Sequence, residues 1–455
     1  MFTANISPPA QKELDRIAAL YEVSEAQLKK ITDGFGDAFT KGLQVEHQAV
    51  TMGPSWVTHS PDGTEKGTSL TLEIGWDSVH VASVELDGKR SFTTQSKNFE
   101  IKHELLYAEA TVFFDFLARC VGDFLKERSN KSTVDLRLGF NFGFGVEKSS
   151  IDHGKLLSWS KGFSISGAVG QDVVELLQKA FDRAKLSVKC TALINDSVAV
   201  LLAQSYLEAP CVLSAIYGAG TNGSYLESGA SIKKLPGFRG TSMMINTEWG
   251  MFNDNALLKP TAYDVKMDNG CANPGHALFQ KLTSWFYLGQ IARQIFLSLV
   301  EKGLMFNGVA TDSLKNHTFS SFHLFQIEDA KDHGTIKEVL CESFGYSEDA
   351  VSTQDVEIAK TIATIIAVRG GKLAACPIAS LLTRQGYASG LGQGPIRIAV
   401  DGELFIGSAQ FEIRLKQGIA TILGHGFENK LDFHHVQGKG HVGAAIACFE
   451  AQHVH

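Results

Sequence analysis

Two kinds of hydrophobic periodicity alternate along this chain, and together they predict the order of its elements. Near the start, apolar side chains from Leu14 to Phe39 recur every three or four residues between charged ones, which predicts helix over residues 11–43. Ser24, followed three residues later by Gln27, has the pattern of a capping box, so a second helix is expected to begin there.

Beyond residue 68 the pattern changes to the alternation that is typical of half-buried strands. Predicted strands cover 69–74 and 79–84, joined by a tight turn at 75–78, and Asp87-Gly88 is the next turn signal of a β-meander. Further predicted elements are helices over 103–127 and 173–185 and strands over 136–142, 190–194 and 396–400. A second strand, glycine turn and strand follow at 212–226, so the chain predicts a duplicated α/β core with a nucleotide between its halves.

Length and charge narrow the class of protein. A chain of 455 residues exceeds what one compact core supports, so we expect two domains. Hydrophobic residues at 44% and charged residues at 20% are the balance of an ordinary globular protein. The net charge of −7 is opposite in sign to the basic surface that nucleic acid requires, so no nucleic-acid partner is expected.

Cysteine spacing and apolar runs bear on location. The seven cysteines are scattered without a C-x-x-C pair, which indicates a reduced intracellular compartment and no metal site. Residues 1–15 lack the apolar core of a signal peptide, and the longest apolar runs, around 297–300 and 362–368, are shorter than a membrane span. We therefore expect a cytoplasmic protein without membrane contact, or a nuclear one if its role is regulatory.

Two stretches, 218–223 and 438–443, match the Gly-x-Gly-x-x-Gly pattern of a dinucleotide site. The first leads into a predicted strand, so a phosphate would lack a helix N-terminus beneath it. The second lies too close to the last residue for a βαβ unit to follow. A dinucleotide-dependent oxidoreductase is therefore disfavoured.

A more specific set of motifs lies between residues 158 and 250. In order these are Trp-Ser-Lys-Gly-Phe at 159–163, Ala-Leu-Ile-Asn-Asp-Ser at 192–197, Gly-Ala-Gly-Thr-Asn at 218–222 and Ile-Asn-Thr-Glu-Trp-Gly at 245–250. Here the chain resembles the hexokinase family, its fungal branch especially, and the resemblance extends over nearly the whole length. It implies an α/β fold of two lobes, the duplicated ribonuclease H-like fold of actin-like ATPases, with a cleft between a large and a small domain. By the family pattern, residues 1–68 hold N-terminal helices and a linker of the large domain, 69–208 the small domain, 209–440 the rest of the large domain, and 441–455 a C-terminal helix that returns to the small domain.

The resemblance also implies a hexose site. A hexose offers only hydroxyl groups, so its pocket needs amides, carboxylates and a cation that converge on one ring. By analogy Asn195, Asn222 and Glu248 bind the sugar, with Ser160 and Lys161 from the opposite lobe. Asp196 matches the catalytic base that takes the proton of the 6-hydroxyl as it attacks the γ-phosphate, and Lys161 belongs to the same catalytic set. Gln280 occupies the position where the family usually has a sugar-binding glutamate. Glutamine has the same side-chain length and replaces one carboxylate acceptor by an amide donor.

Each of these residues also has a purely structural interpretation. Asn195 and Asp196 after a strand are commonly an N-cap or an Asx-turn, Lys161 fits a solvated surface lysine, and Glu248 fits a helix cap. Singly, the structural interpretation is favoured for each. Together and in family order, the sugar-binding interpretation is favoured.

The phosphate-binding loops depart from the family pattern. The run Asp-Leu-Gly-Gly-Thr-Asn becomes Glu-Ile-Gly-Trp-Asp-Ser at 73–78, which adds a large ring at Trp76 and a negative charge at Asp77 facing a polyanion. The second loop has Ala219 in place of a threonine donor, and Glu403 replaces the serine of an Asp-Gly-Ser near the adenosine. The degenerate nucleotide site thus comprises Glu73, Gly75, Trp76, Asp77, Ser78, Gly218, Ala219, Gly220, Thr221, Gly402 and Glu403.

Three hypotheses about function follow. The first is a hexose-binding member of the family that transfers phosphate poorly or not at all and acts as a sugar-responsive regulator. The second is a working ATP-dependent kinase of glucose or an amino sugar, with Asp196 as general base and ATP and Mg²⁺ as cofactors. The third is a scaffold that binds neither ligand, which a sugar-dependent change in tryptophan fluorescence would exclude.

Overall fold

The computed structural model describes residues 6–127, 136–160, 162–316, 319–390 and 394–450. The strands within these ranges are β1 (Gly53–Pro54), β2 (Lys66–Ile74), β3 (Ser78–Asp87), β4 (Phe92–Glu100), β5 (Leu136–Asn141), β6 (Gly145–Ser150), β7 (His153–Ser158), β8 (Val188–Ile194), β9 (Leu213–Tyr217), β10 (Thr221–Ser228), β11 (Ser242–Asn246), β12 (Ile396–Asp401) and β13 (Leu431–His435).

The helices alternate with these strands and dominate the second half of the chain. They are α1 (Pro8–Tyr21), α2 (Glu25–Gln44), α3 (Ala110–Glu127), α4 (Val173–Arg183), α5 (Asp196–Leu207), α6 (Asn255–Leu258), α7 (Ala262–Asn269), α8 (Leu278–Thr283), α9 (Trp285–Glu301), α10 (Asp312–Asn316), α11 (Ser321–Asp329), α12 (His333–Phe344), α13 (Thr353–Arg384), α14 (Glu403–Gly407), α15 (Phe411–Leu423) and α16 (Gly440–Glu450).

Two lobes are each built around one sheet, which confirms the predicted two-lobed α/β fold. The sheet of the large lobe has the order β1-β11-β10-β9-β12-β13, and α1, α2, α9 and α15 pack with the long helix α13 in its core. The sheet of the small lobe has the order β4-β3-β2-β5-β8, and β6 and β7 form a separate hairpin. Helices α5 and α16 pack on each other at the junction, where α5 contacts β9 and β10 and α16 contacts β2, β5 and β8.

Local signals account for much of this arrangement. The Ser24 hydroxyl accepts a hydrogen bond from the Gln27 backbone N–H at 3.3 Å, so the predicted start of the second helix is confirmed. The predicted turn between β2 and β3 is closed by the Gly75 N–H, which donates to the Ser78 carbonyl at 2.8 Å. Ile74 therefore pairs with Val79, and both predicted strands are confirmed. They are not half-buried as expected, because α3 and α16 pack on this sheet and leave only Glu73 and His80 partly exposed within 69–74 and 79–84.

Several predicted boundaries differ from the structure by a few residues, and two of the differences have a visible cause. Residues 103–107 form a 3₁₀ turn, and the α-helix begins only at Ala110. The reason lies in a distant segment: Ser166 donates to the Ala108 carbonyl and accepts from the Ala110 N–H, which holds the intervening residue extended. The glycine turn after β9 is also shorter than predicted, because Thr221 already pairs with Tyr217.

Helix α13 is long and apolar enough to cross a membrane by length and composition, which the sequence analysis did not anticipate. However, 83% of its apolar window is buried inside the protein. Its apolar faces are covered by α2, α9 and α15, as expected of a core helix.

Candidate functional site

The side chains at the lobe junction include Asn195, which links the small-lobe sheet to α5. It follows β8 directly and caps α5, its Oδ1 atom accepting from the Ser197 N–H at 2.9 Å. The N-cap interpretation of Asn195 is therefore correct, and it does not exclude a second role. Its Oδ1 atom also lies 3.4 Å from the Asn222 amide nitrogen of the large lobe.

Three large-lobe side chains form a continuous hydrogen-bonded network beside Asn195. Asn222 in β10 donates through Nδ2 to Oδ1 of Asn246 at 2.8 Å, and Asn246 at the end of β11 donates to Oε1 of Glu248 at 2.7 Å. The Glu248 N–H donates back to Oδ1 of Asn222 at 3.0 Å. The network fixes one carboxylate and three amides in a small volume, with the side chains half-buried.

Glu248 adopts a left-handed backbone conformation with φ of 55° and ψ of 37°. This conformation is costly for a residue with a Cβ atom, so the surroundings must hold it. Neighbouring residues do so: the Thr247 hydroxyl donates to the Gly223 carbonyl at 2.8 Å, and the buried Trp249 indole donates to the Thr221 hydroxyl at 2.9 Å. A Cβ atom on Gly223 would collide with the Trp249 ring, so glycine is required there.

Buried serine hydroxyls attach the start of α5 to the large-lobe sheet. Ser214 and Ser224 both donate to the Ser197 carbonyl, at 2.7 and 2.9 Å. Both side chains are fully buried. These bonds hold the α5 N-terminus, and with it Asn195 and Asp196, against the strands that carry Asn222.

Asp196 is the first residue of α5 and lies half-buried in the cleft. Its Oδ1 atom accepts from the Ser197 N–H at 2.9 Å. Burial, followed by the charges of Glu403 and Asp196, raises the pKa of Asp401. Three carboxylates therefore share one electrostatic environment at this end of the cleft.

Gln280 and Ser160, which were also predicted for the sugar site, lie outside the network of Asn195, Asn222, Asn246 and Glu248. Gln280 turns its Oε1 atom toward the backbone of the glycine turn, 3.4 Å from the Thr221 nitrogen, and a Cβ atom on Gly220 would lie 2.8 Å from it. Ser160 is exposed on the small lobe after β7. Lys161 lies outside the described residues.

On the predicted nucleotide side, Glu403 and Trp285 both contact the glycine turn at 218–220, the first through its carboxylate and the second through its backbone N–H. A Cβ atom on Gly218 would collide with Oε2 of Glu403, so this carboxylate lies directly against the turn. The Trp285 N–H donates to the Gly218 carbonyl at 2.8 Å, and its indole stacks on Phe325 with centroids 5.5 Å apart. The same indole leaves no room for a side chain at Gly407 in α14.

In the first predicted phosphate loop, at 73–78, two of the altered side chains are exposed to solvent. The Trp76 ring is 65% exposed, and Asp77 is exposed beside it, accepting from the Ser78 hydroxyl at 3.0 Å. Glu73 lies on the adjacent strand end, and its carboxylate would be 3.3 Å from a Cβ atom on Gly440 at the start of α16. Obstruction by Trp76 therefore stays a prediction.

Comparison with known proteins shows which family this chain resembles along its length. The hexokinase family models match residues 13–206 and 212–449, which together cover nearly all of the chain. The chain belongs to the hexokinase family. Hexokinase-1 of Saccharomyces cerevisiae is 30% identical over 433 residues, covering 92% of this chain and 87% of the yeast protein.

Other members extend the comparison. Human Hexokinase HKDC1 is 32% identical over 405 residues, which are 87% of this chain but only 43% of the human protein. The solved structure of a hexokinase from Schistosoma mansoni complexed with glucose superposes with a TM-score of 0.87 at 28% identity, covering 98% of this chain and 99% of that one. The two-lobed hexokinase fold predicted from the motifs is thereby confirmed.

Sequence reasoning missed Asn246 as a site residue, although it lies within the motif at 245–250. In the structure it bridges Asn222 and Glu248, so it is central to the network. Its place within that motif, two residues before Glu248, was a usable signal. Ser214 and Ser224 carried no comparable signal, since serine in a strand is commonplace.

Proposed function

We propose that this hexokinase-family chain binds a hexose at the network of Asn195, Asn222, Asn246 and Glu248, transfers phosphate from ATP weakly or not at all, and acts as a sugar-responsive regulator. One observation carries the proposal: the amide and carboxylate network is complete, whereas the Glu403 carboxylate lies against the glycine turn that would receive phosphate.

The chemistry of the network suits a polyhydroxylated ligand. Glu248 supplies a charged acceptor, and the three amides supply both donors and acceptors. Because these side chains already hold one another at 2.7–3.4 Å, little ordering remains to be done when a sugar binds. An apolar ligand could not use the donors and acceptors that this network leaves available, whereas the hydroxyl groups of a sugar can.

The residues on the other side of the cleft fit ATP and Mg²⁺ poorly. Glu403 adds a negative charge beside Asp401 and Asp196, and a triphosphate would meet all three. Two unit charges 4 Å apart repel by roughly 4 kcal/mol in surroundings of intermediate polarity. Trp285 fills the space next to α14, which begins at Glu403.

A working kinase is the second candidate, and the position of Asp196 favours it. The carboxylate lies at the N-terminus of α5, next to the network that would present a sugar hydroxyl. This candidate requires that the Glu403 carboxylate move away from the glycine turn.

A coupled assay of ATP-dependent phosphorylation separates the candidates. The full chain is tested with Mg²⁺ on glucose, fructose, mannose, glucosamine and N-acetylglucosamine, with Asp196→Ala as control, and sugar binding is followed by calorimetry. Binding without turnover supports the proposal. Turnover that disappears in the control establishes the kinase. Neither binding nor turnover would refute both in favour of a scaffold.

The variant Glu403→Ser tests whether the carboxylate beside the glycine turn weakens ATP binding. Removing the carboxylate is expected to tighten ATP binding by at least tenfold, about 1.4 kcal/mol, because one close repulsion is lost. Glu338→Ser, which removes an exposed glutamate of α12, is the matched control. The combined changes Trp76→Gly, Asp77→Thr and Ser78→Asn test the first loop separately. If ATP affinity rises in neither variant, the loops are not what limits the nucleotide.

A further inference from the structure

Lys148 connects the backbones of the two lobes. It lies in β6, and its ammonium donates to the Ser55 carbonyl at 2.6 Å and to the Leu193 carbonyl. Ser55 belongs to the large lobe, because its N–H donates to the Met244 carbonyl of β11 at 3.0 Å. Leu193 belongs to β8 of the small-lobe sheet. A single side chain thus bonds to the edge of each sheet.

Both carbonyls lie on segments that lead into the hexose network. Leu193 precedes Asn195 by two residues in the chain. Ser55 bonds to Met244, which precedes Asn246 by two residues in β11. A shift of either segment therefore moves one amide relative to the other.

The contact is reciprocal and closely packed. The Trp56 indole donates to the Lys148 carbonyl at 3.3 Å, so the segment at 55–56 also bonds to the backbone of β6. Gly154, opposite Lys148 in β7, has no room for a Cβ atom between Leu193 and the lysine stem. The lysine is thus enclosed by β7, β8 and the segment at 55–56.

Enclosing a lysine here carries a cost. Burial lowers the pKa of Lys148 to about 7, and the nearby Asp152 and Cys190 oppose this shift. An amide or an apolar side chain would avoid that cost. Only a long, flexible stem with several donors can reach both carbonyls at once.

We propose that Lys148 is a positioning residue for hexose binding, its ammonium holding Asn195 in place relative to Asn246 and Glu248 across the lobe junction. The inference rests on the proposed hexose binding. Lys148 acts through the backbone of β8 and β11 and does not itself touch the sugar.

The test uses the full chain with Lys148→Met, which keeps the stem and removes all donors, and Lys148→Gln, which restores an amide donor. Lys360→Met is the matched control, because the Lys360 ammonium also donates to backbone carbonyls, those of Ile327, Glu328 and Ala330, but all lie within the large lobe. Hexose affinity is measured by calorimetry, and hydrogen exchange is measured without sugar on peptides spanning 53–58 and 188–198.

Lys148→Met is expected to weaken hexose binding by about tenfold or more and to speed exchange in both peptides. Lys148→Gln should recover part of the affinity, and Lys360→Met should change neither quantity. In an Asn195→Ala background, Lys148→Met should cause little further loss, because the positioned group is already gone.

Two results would overturn the proposal. One is a folded Lys148→Met variant with wild-type affinity and wild-type exchange. The other is equal loss in Lys148→Met and Lys360→Met, which would indicate a general effect of removing a buried lysine. If the wild-type chain binds no hexose, the proposed function fails, and unchanged exchange in the two peptides would still reject Lys148 as a junction residue.

Discussion

Replacing Asn246 by alanine removes the two bonds through which its side chain bridges Asn222 and Glu248, and leaves the direct bond from the Glu248 N–H to Asn222 in place. The bond to Glu248, at 2.7 Å, has a charged acceptor and is expected to contribute about 1.5–3 kcal/mol, and the bond from Asn222, at 2.8 Å, about 1 kcal/mol. In the free protein, hydrogen bonds to water replace part of the energy of these two bonds. We therefore expect about 2 kcal/mol of lost hexose affinity, or about 30-fold in Kd at 25 °C.

Calorimetric titration with the tightest-binding sugar of the panel measures this loss. Asn253→Ala is the control, because Asn253 is an exposed asparagine of the same lobe that donates to the Gly275 carbonyl and accepts from the Leu278 N–H. Thermal unfolding of both variants shows whether the fold survives. A folded Asn246→Ala variant whose Kd lies within twofold of the wild type would refute the role assigned to the network.

Three further predictions concern the surroundings of the site. The pKa of Lys148 is about 7 in the folded protein, below the ordinary 10.5, so the unfolded chain binds more protons between these two pH values. The free energy of unfolding should therefore rise by about 2 kcal/mol from pH 7 to pH 9, relative to the Lys148→Met variant. Urea unfolding of both proteins at the two pH values measures this difference. Trp285→Gly should lower the unfolding free energy by about 2–3 kcal/mol, because a partly buried indole is lost, and should tighten ATP binding further in a Glu403→Ser background, measured by calorimetry. Thr221→Val leaves the buried Trp249 indole N–H without its acceptor, which should cost about 1–3 kcal/mol by chemical denaturation; no change would indicate another acceptor.

Much of the fold could be predicted because its signals are local. The Ser24 cap and the β2–β3 hairpin depend on residues a few positions apart, and both predictions are confirmed. The boundary at 108–110 could not be predicted, because it is set by Ser166, more than fifty residues away in the chain. A strand pairing of that range leaves no trace in hydrophobic periodicity.

The candidate site divides in the same way. Family motifs pointed to Asn195, Asn222 and Glu248, and the structure brings these three together. The changed residues of the nucleotide loops were also visible in the sequence, but not the direction of their side chains. The Trp76 ring is largely exposed, whereas the Glu403 carboxylate lies against the glycine turn. Side-chain direction at a turn depends on tertiary packing, which a linear pattern does not encode.

Structural roles alone explain some residues of the hexose network but not all of them. Asn195 caps α5, so its presence would be understandable without any sugar. Glu248 has a left-handed backbone at φ 55°, which costs about 1–2 kcal/mol relative to glycine. Its carboxylate must in addition be held half-buried beside two amides. Met52, Ala277 and seven other non-glycine residues among the described ones also have positive φ, so the conformation alone does not set Glu248 apart. Its distinguishing feature is the carboxylate held beside two amides, which supports the proposed hexose site.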